Sequence, residues 1–166
     1  MIKFSLKHIL EQAPYELVLS GDEFMFQTDS GIHYSISFNK EDIILGECAT
    51  YQLIIRKIEE KKSSYDPKVE ATILAIINEF FRSNLEVMLY LCDTSDGREE
   101  SRNRLFLAWF DKYAGNNRFT ICQAHAKIEG EGLFLCIIVD NRNPNLKAIT
   151  EDFEEKAAML TGEKPE

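Results

Sequence analysis

Long apolar runs are missing from this 166-residue chain. Its longest charge-free apolar stretches, residues 71–78 and 132–139, fall far short of the roughly 18–20 residues a spanning helix needs. The N-terminal segment M-I-K-F-S-L-K-H-I-L-E-Q has no long apolar core and no small-residue cleavage site, so it does not read as a secretory signal. A cytoplasmic protein is expected. Cysteine and histidine are scarce too. None of the four cysteines forms a C-x-x-C pair, and His8, His33 and His125 lie far apart. Zinc sites show closer ligand spacing, so neither a metal nor a cofactor is predicted. The cysteines read as buried, reduced thiols, with Cys92, Cys122 and Cys136 in strand-like apolar runs and Cys48 in a loop. A glycine-rich phosphate loop, G-x-S-x-G, H-E-x-x-H and calcium-loop spacing are all absent. Basic charge is short as well: 19 Lys and Arg face 28 Asp and Glu, a formal net charge of −9. With a pI near 4.9, a dedicated nucleic-acid binder is disfavoured, because counterion release needs a basic surface. Docking on anionic lipid is disfavoured for the same reason.

What is present is an ordinary globular composition, 45% hydrophobic and 28% charged, in a chain long enough for one domain with its own core. The sequence predicts a single α+β domain over residues 1–162 and a frayed tail over 163–166. Hydrophobic spacing has period two in the first third and a mixture of two and 3.6 afterwards. Tyr15, Leu17 and Leu19 suggest a short strand, and Phe24 and Phe26 a second. T-D-S-G is a turn, after which Ile32, Tyr34, Ile36 and Phe38 alternate with polar residues as in a half-buried antiparallel strand. Residues 51–58 form another. The aromatics of this meander could stack on bases, but no basic residues interleave with them, and they read as its core face. Residues 1–12 fit a helix or a strand.

Asp66-Pro67 starts a helix, with Asp as cap and Pro at the first helical position. Val69, Ile73, Ile76, Ile77 and Phe80 share one face of it, and Ser83-Asn84 ends it. Residues 85–92 (L-E-V-M-L-Y-L-C) are apolar on both faces apart from Glu86, the pattern of an interior strand. A helix follows over about residues 98–114, with Leu105, Phe106, Trp109 and Tyr113 as its stripe and Gly115 at its end. Strands over 118–128 and 133–139 are joined by E-G-E-G. Asn143-Pro144 then opens a last helix lined by Leu146, Ile149, Phe153, Ala157 and Leu160 and closed by Gly162. Cys122 and His125, three apart in a strand, should face opposite sides and make a poor nucleophilic pair.

One polar junction stands out. C-D-T-S-D-G-R-E-E-S-R-N-R joins the interior strand to the following helix. Asp93 leaves the strand, and Asp96 can cap the helix with Glu99 as its capping-box partner. Arg98 and Arg102 sit one turn apart on the stripe that continues into Leu105, Phe106 and Trp109. Between Gly97 and Arg118 five basic and three acidic residues leave a local +2 against −11 for the remainder. Three readings stand side by side. Asp93, Asp96, Arg98 and Arg102 pair with one another, contributing at most about 1 kcal/mol per exposed pair. Or the two arginines and the helix start hold a small anion or the acidic tail of a protein partner. Or Asp93 and Asp96 serve phosphoryl-transfer or hydrolytic chemistry.

The stretches D-P-K-V-E-A-T-I-L-A-I-I-N-E-F-F and L-Y-L-C-D-T-S-D-G-R-E-E-S-R-N-R-L-F-L-A-W-F, with Y-Q-L, T-D-S-G-I-H-Y and N-P-N, resemble a family of small, uncharacterised bacterial proteins. The resemblance covers about residues 15–153. It implies a single domain of bacterial origin and brings no assigned activity, cofactor or catalytic residue.

The expected fold is therefore α+β: a mostly antiparallel sheet of about six or seven strands with three main helices, in the order β-β-β-β-α-β-α-β-β-α. The strand at 85–92 should have one parallel neighbour, since helices precede and follow it. The expected function is a non-enzymatic cytoplasmic binding or interaction module with its site at the 93–102 junction; the alternative is an enzyme using Asp93 and Asp96. An exposed edge strand in the meander offers a route to a homodimer.

Overall fold

The computed structural model describes residues 2–59, 65–93, 108, 118–128 and 131–161. Three helices and a seven-stranded, mostly antiparallel sheet lie among these residues. The sheet is ordered β1-β2-β3-β4-β5-β7-β6, from β1 (Val18–Ser20), β2 (Glu23–Gln27), β3 (His33–Leu45) and β4 (Cys48–Lys57) to β5 (Val87–Asp93), β7 (Glu131–Asp140) and β6 (Phe119–Ile128). The helices are α1 (Leu6–Gln12), α2 (Pro67–Ser83) and α3 (Leu146–Thr161). The helix expected over residues 98–114 lies outside the described residues except for Ala108, which is helical and exposed. By contact density the chain divides into two units, Met1–Asn39 with Leu53–Asn84, and Lys40–Gln52 with Leu85–Glu166.

In the first unit the ambiguous N-terminal segment is helical: Ser5 caps α1, its Oγ accepting from the His8 N–H at 3.3 Å. Leu17 is buried but Leu19 is exposed. The first strand is consequently only three residues long and, at the sheet margin, leaves Val18 65% and Leu19 47% exposed. The meander aromatics form the core as their alternation predicts. Phe26 pairs with Tyr34 across β2 and β3, rings stacked at 5.3 Å, and Tyr15 stacks on Phe26 at 5.7 Å. Phe38 stacks on Phe80 of α2 at 4.9 Å. Asp66 caps α2 through the Lys68 N–H at 3.0 Å, and Pro67 occupies the first turn. This helix buries more than one stripe: Glu70, Thr72 and Glu79 are buried with the apolar residues.

The second unit is built around β5, which is interior as its two apolar faces require. It runs parallel to β4, with Thr50 opposite Val87, and antiparallel to β7, with Leu89 opposite Ile137. Along the chain α2 supplies the crossover that a parallel pair needs. The strand starts at Val87, not at Leu85, which is exposed. The polar run N-K-E-D, which resembles a strand end, is instead a solvent-facing passage of β3 that continues to Leu45. Cys48, expected in a loop, is the first residue of β4. Between them Gly46 and Glu47 both have positive φ, 52° and 65°, as a two-residue type I′ hairpin turn demands. The last helix begins at Leu146, slightly later than Asn143-Pro144 suggests. Asn143 instead folds the turn before it, accepting from the Asn145 N–H at 2.9 Å and donating to the Leu85 carbonyl at 2.5 Å.

Candidate ligand cavity

Of the junction residues singled out by sequence, Asp93 closes β5, its backbone opposite Leu133 of β7. Asp96, Arg98 and Arg102 lie outside the described residues. The structure therefore brings none of the four side chains into a described arrangement.

The feature that sequence did not mark is a cavity in the second unit, beside α3. Its construction follows from how that helix is held. Leu146, Ile149, Phe153 and Ala157 recur on one face of α3 and pack on the sheet side carrying Leu45, Val87, Leu89, Leu135, Ile137 and Val139. The β3–β4 turn anchors the N-terminal half of the helix. The Gly46 N–H donates to Asp152 Oδ2 at 2.7 Å, and a Cβ on Gly46 would lie 2.7 Å from the Ile149 nitrogen. Ile149 is fully buried there.

Toward the other half of the helix the packing opens into a cavity of about 360 Å³. Ile43 and Leu45 of β3, Leu89 of β5, and Leu135 and Ile137 of β7 line it from the sheet. Phe153 and Ala157 line it from the helix, with Lys156 and the exposed Met159 at its mouth. The volume sits at the small end of the roughly 300–1,000 Å³ typical of ligand pockets. At about 30 Å³ per non-hydrogen atom, the liquid share of a water molecule, it takes roughly a dozen such atoms.

One polar side chain enters this wall from the sheet. Thr50 lies opposite Val87, on the face that α3 covers, and is 0% exposed. Its Oγ1 has no hydrogen-bond partner among the described residues. Buried hydroxyls are nearly always satisfied, and an orphan costs about 1–3 kcal/mol. A threonine inside a strand is unremarkable in sequence, and the other lining residues read simply as core. No sequence signal distinguishes a packed apolar face from one that stands partly clear of its helix.

Two further groups of polar side chains are described in the second unit. Asp140, buried at the end of β7, receives the Arg142 guanidinium at 2.8 Å and the Arg142 N–H at 2.8 Å. Burial alone would raise its carboxyl, but the Arg142 hydrogen bonds and charge outweigh it and hold the group below the usual carboxylate range. Cys122 pairs across from Ile137 and His125 from Phe134; neighbouring pairs alternate faces, so thiol and imidazole point to opposite sides. Burial pushes the Cys136 thiol up to about 12 and, with Glu154 nearby, raises Cys122 as well. Neither is poised as a nucleophile.

Three polar clusters among the described residues of the first unit are internally paired. The Tyr15 hydroxyl bonds Asp66 and accepts from the Asp29 N–H at 3.2 Å, while Lys68 reaches Asp29 at 3.0 Å. Burial and the Asp66 hydrogen bond raise the Tyr15 phenol, so it stays neutral at physiological pH. Glu59 holds His33 through its backbone N–H at 2.7 Å and its ring at 2.5 Å. Glu79 is satisfied by Arg82, Ser83 and the Ser5 N–H, and these outweigh its burial to lower its carboxyl. Glu70 is the exception, 2% exposed with Oε2 unpartnered among the described residues.

Among the described residues no three metal-ligating side chains cluster, and no helix is long and apolar enough to cross a membrane. Neither the curated proteins nor the solved structures include a match to this chain. A family model does match, over residues 65–155, more than half of the length and including β5, β6, β7 and most of α3. On that match the chain belongs to the Family of unknown function (DUF6169).

Proposed function

We propose that the protein is a non-enzymatic cytoplasmic binding module whose ligand is a small, largely apolar molecule held beside α3. The observation that carries this reading is the 360 Å³ apolar cavity on the inner face of that helix. Support also comes from the chemistry of the surroundings. Among the described residues the Cys122 and Cys136 thiols are raised by burial, and the three polar clusters of the first unit and the Asp140–Arg142 pair are internally bonded, so those groups are poorly suited to act as nucleophile, acid or base. The 93–102 junction belongs to the same reading: β5, whose Leu89 lines the cavity, runs directly into it, and Arg98 and Arg102 are its proposed anion-recognising groups.

The test is calorimetric titration with naphthalene, a rigid apolar probe of about the right size, together with melting curves. Saturable one-to-one binding is expected in the wild type. It should be lost in Ala157→Phe, which places a ring in the cavity without disturbing the anchored half of α3. Circular dichroism and the melting transition establish that the variant is folded, and Ala157→Leu serves as the milder blocker. Absence of saturable binding, or binding that both folded blockers leave unchanged, overturns the reading.

A further inference from the structure

We infer that the natural ligand carries a neutral hydrogen-bonding group, a hydroxyl or a carbonyl, at its inward end, and that Thr50 is the residue that recognises it. This rests on the cavity being a ligand site and adds the chemistry of the ligand. Thr50 is wholly buried, lines the cavity, and has an Oγ1 unpartnered among the described residues. Its β5 register partner Val87 belongs to the core under α3, which fixes the face on which its side chain lies. A hydroxyl can both donate and accept, so either ligand group would satisfy it.

The charge of the inward group follows from its surroundings. The sheet side of the cavity around Thr50 is formed by Leu45, Leu89, Leu135 and Ile137, with no cation among them. An ionised carboxylate or ammonium would lose its hydration there without compensation. The one cation among the described lining residues, Lys156, is exposed on the helix and sits at the opening, where its methylene stem extends the apolar surface. The class that fits is therefore a ring or chain compound of roughly a dozen non-hydrogen atoms, with one uncharged oxygen leading inward.

A matched pair tests this: naphthalene and 2-naphthol, which differ by one hydroxyl, titrated into the wild-type protein, Thr50→Val and Thr50→Ser. The wild type should bind 2-naphthol about tenfold more tightly, the equivalent of one net hydrogen bond. Thr50→Val, which keeps the shape and removes the hydroxyl, should bring 2-naphthol down to the affinity of naphthalene and leave naphthalene unchanged or tighter. Thr50→Ser should restore the preference. If both compounds bind equally to the wild type, or the preference survives in Thr50→Val, Thr50 is not the recognising group, while the cavity reading stands. If neither compound binds, both the ligand-class inference and the binding reading fall.

Discussion

Thr50 and Glu70 are the two places where the described structure leaves a buried side-chain oxygen unpaired, and their stability effects should follow from that. Replacing threonine by valine conserves volume and removes an unsatisfied hydroxyl. Thr50→Val should therefore melt no lower than the wild type, and up to roughly 1 kcal/mol of stabilisation is expected. For a chain of this length that is about 2–4 °C in a thermal scan; a drop of comparable size would mean that the hydroxyl is satisfied in solution. Gly46 behaves oppositely. Its positive φ and the 2.7 Å approach to the Ile149 backbone leave no room for a methyl group. Gly46→Ala should cost about 1–3 kcal/mol, measured by urea unfolding. Acid lability belongs at this scale too. Glu79 and Asp140 are both held below the ordinary carboxylate value in the folded state. Their contribution is complete above that ordinary value, near pH 4, and is lost as pH falls through the lowered ones. Urea midpoints taken from pH 6 down to pH 3 should decline over the acid end, and Glu79→Gln should flatten that decline.

The ends of α2 and the interior strand β5 were well announced by their residues, for reasons that hold locally. Asp66-Pro67 caps α2 as written, because a carboxylate beside the first free N–H groups and a proline that needs none of them act within one turn. Asp66→Ala should lower stability by about 1 kcal/mol for the cap alone, and by more if the Tyr15 hydroxyl loses its partner, which Asp66→Asn would separate. The run V-M-L-Y-L-C announced an interior strand, since only a strand covered on both faces dispenses with alternation. The β3–β4 hairpin was illegible for equally local reasons. N-K-E-D reads as an exit from the sheet, and G-E lacks the Asn-Gly or Asp-Gly pairing that usually marks a type I′ turn. Glu47 takes a positive φ there because the turn is pinned to α3 through Asp152, a contact more than a hundred residues away in the chain. The cavity was illegible in principle. Leu89, Leu135 and Ile137 look the same whether a helix presses on them or stands off. Ala157→Leu, which elsewhere in a core would cost roughly 1–3 kcal/mol by overpacking, should be neutral or stabilising here, and a melting curve decides it.

For the molecule as a whole, the charge balance governs behaviour in solution more than it governs shape. With −9 at neutral pH and a pI near 4.9, solubility should pass through a minimum close to pH 5, above the pH at which the paired carboxylates begin to fail. The position of β5 has a kinetic counterpart. Its partners are distant on both sides, Thr50 opposite Val87 and Ile138 opposite Met88, whereas β6 and β7 meet through a hairpin and can zip locally. Loop closure delays the remote pairings, so the middle of the sheet should be the last part to assemble. Until it does, V-M-L-Y-L-C is an unpaired, uncharged, β-prone segment of the kind that finds copies of itself. Recovery on refolding from urea should accordingly fall as protein concentration rises, and a lysine at Tyr90 should trade native stability for a cleaner return.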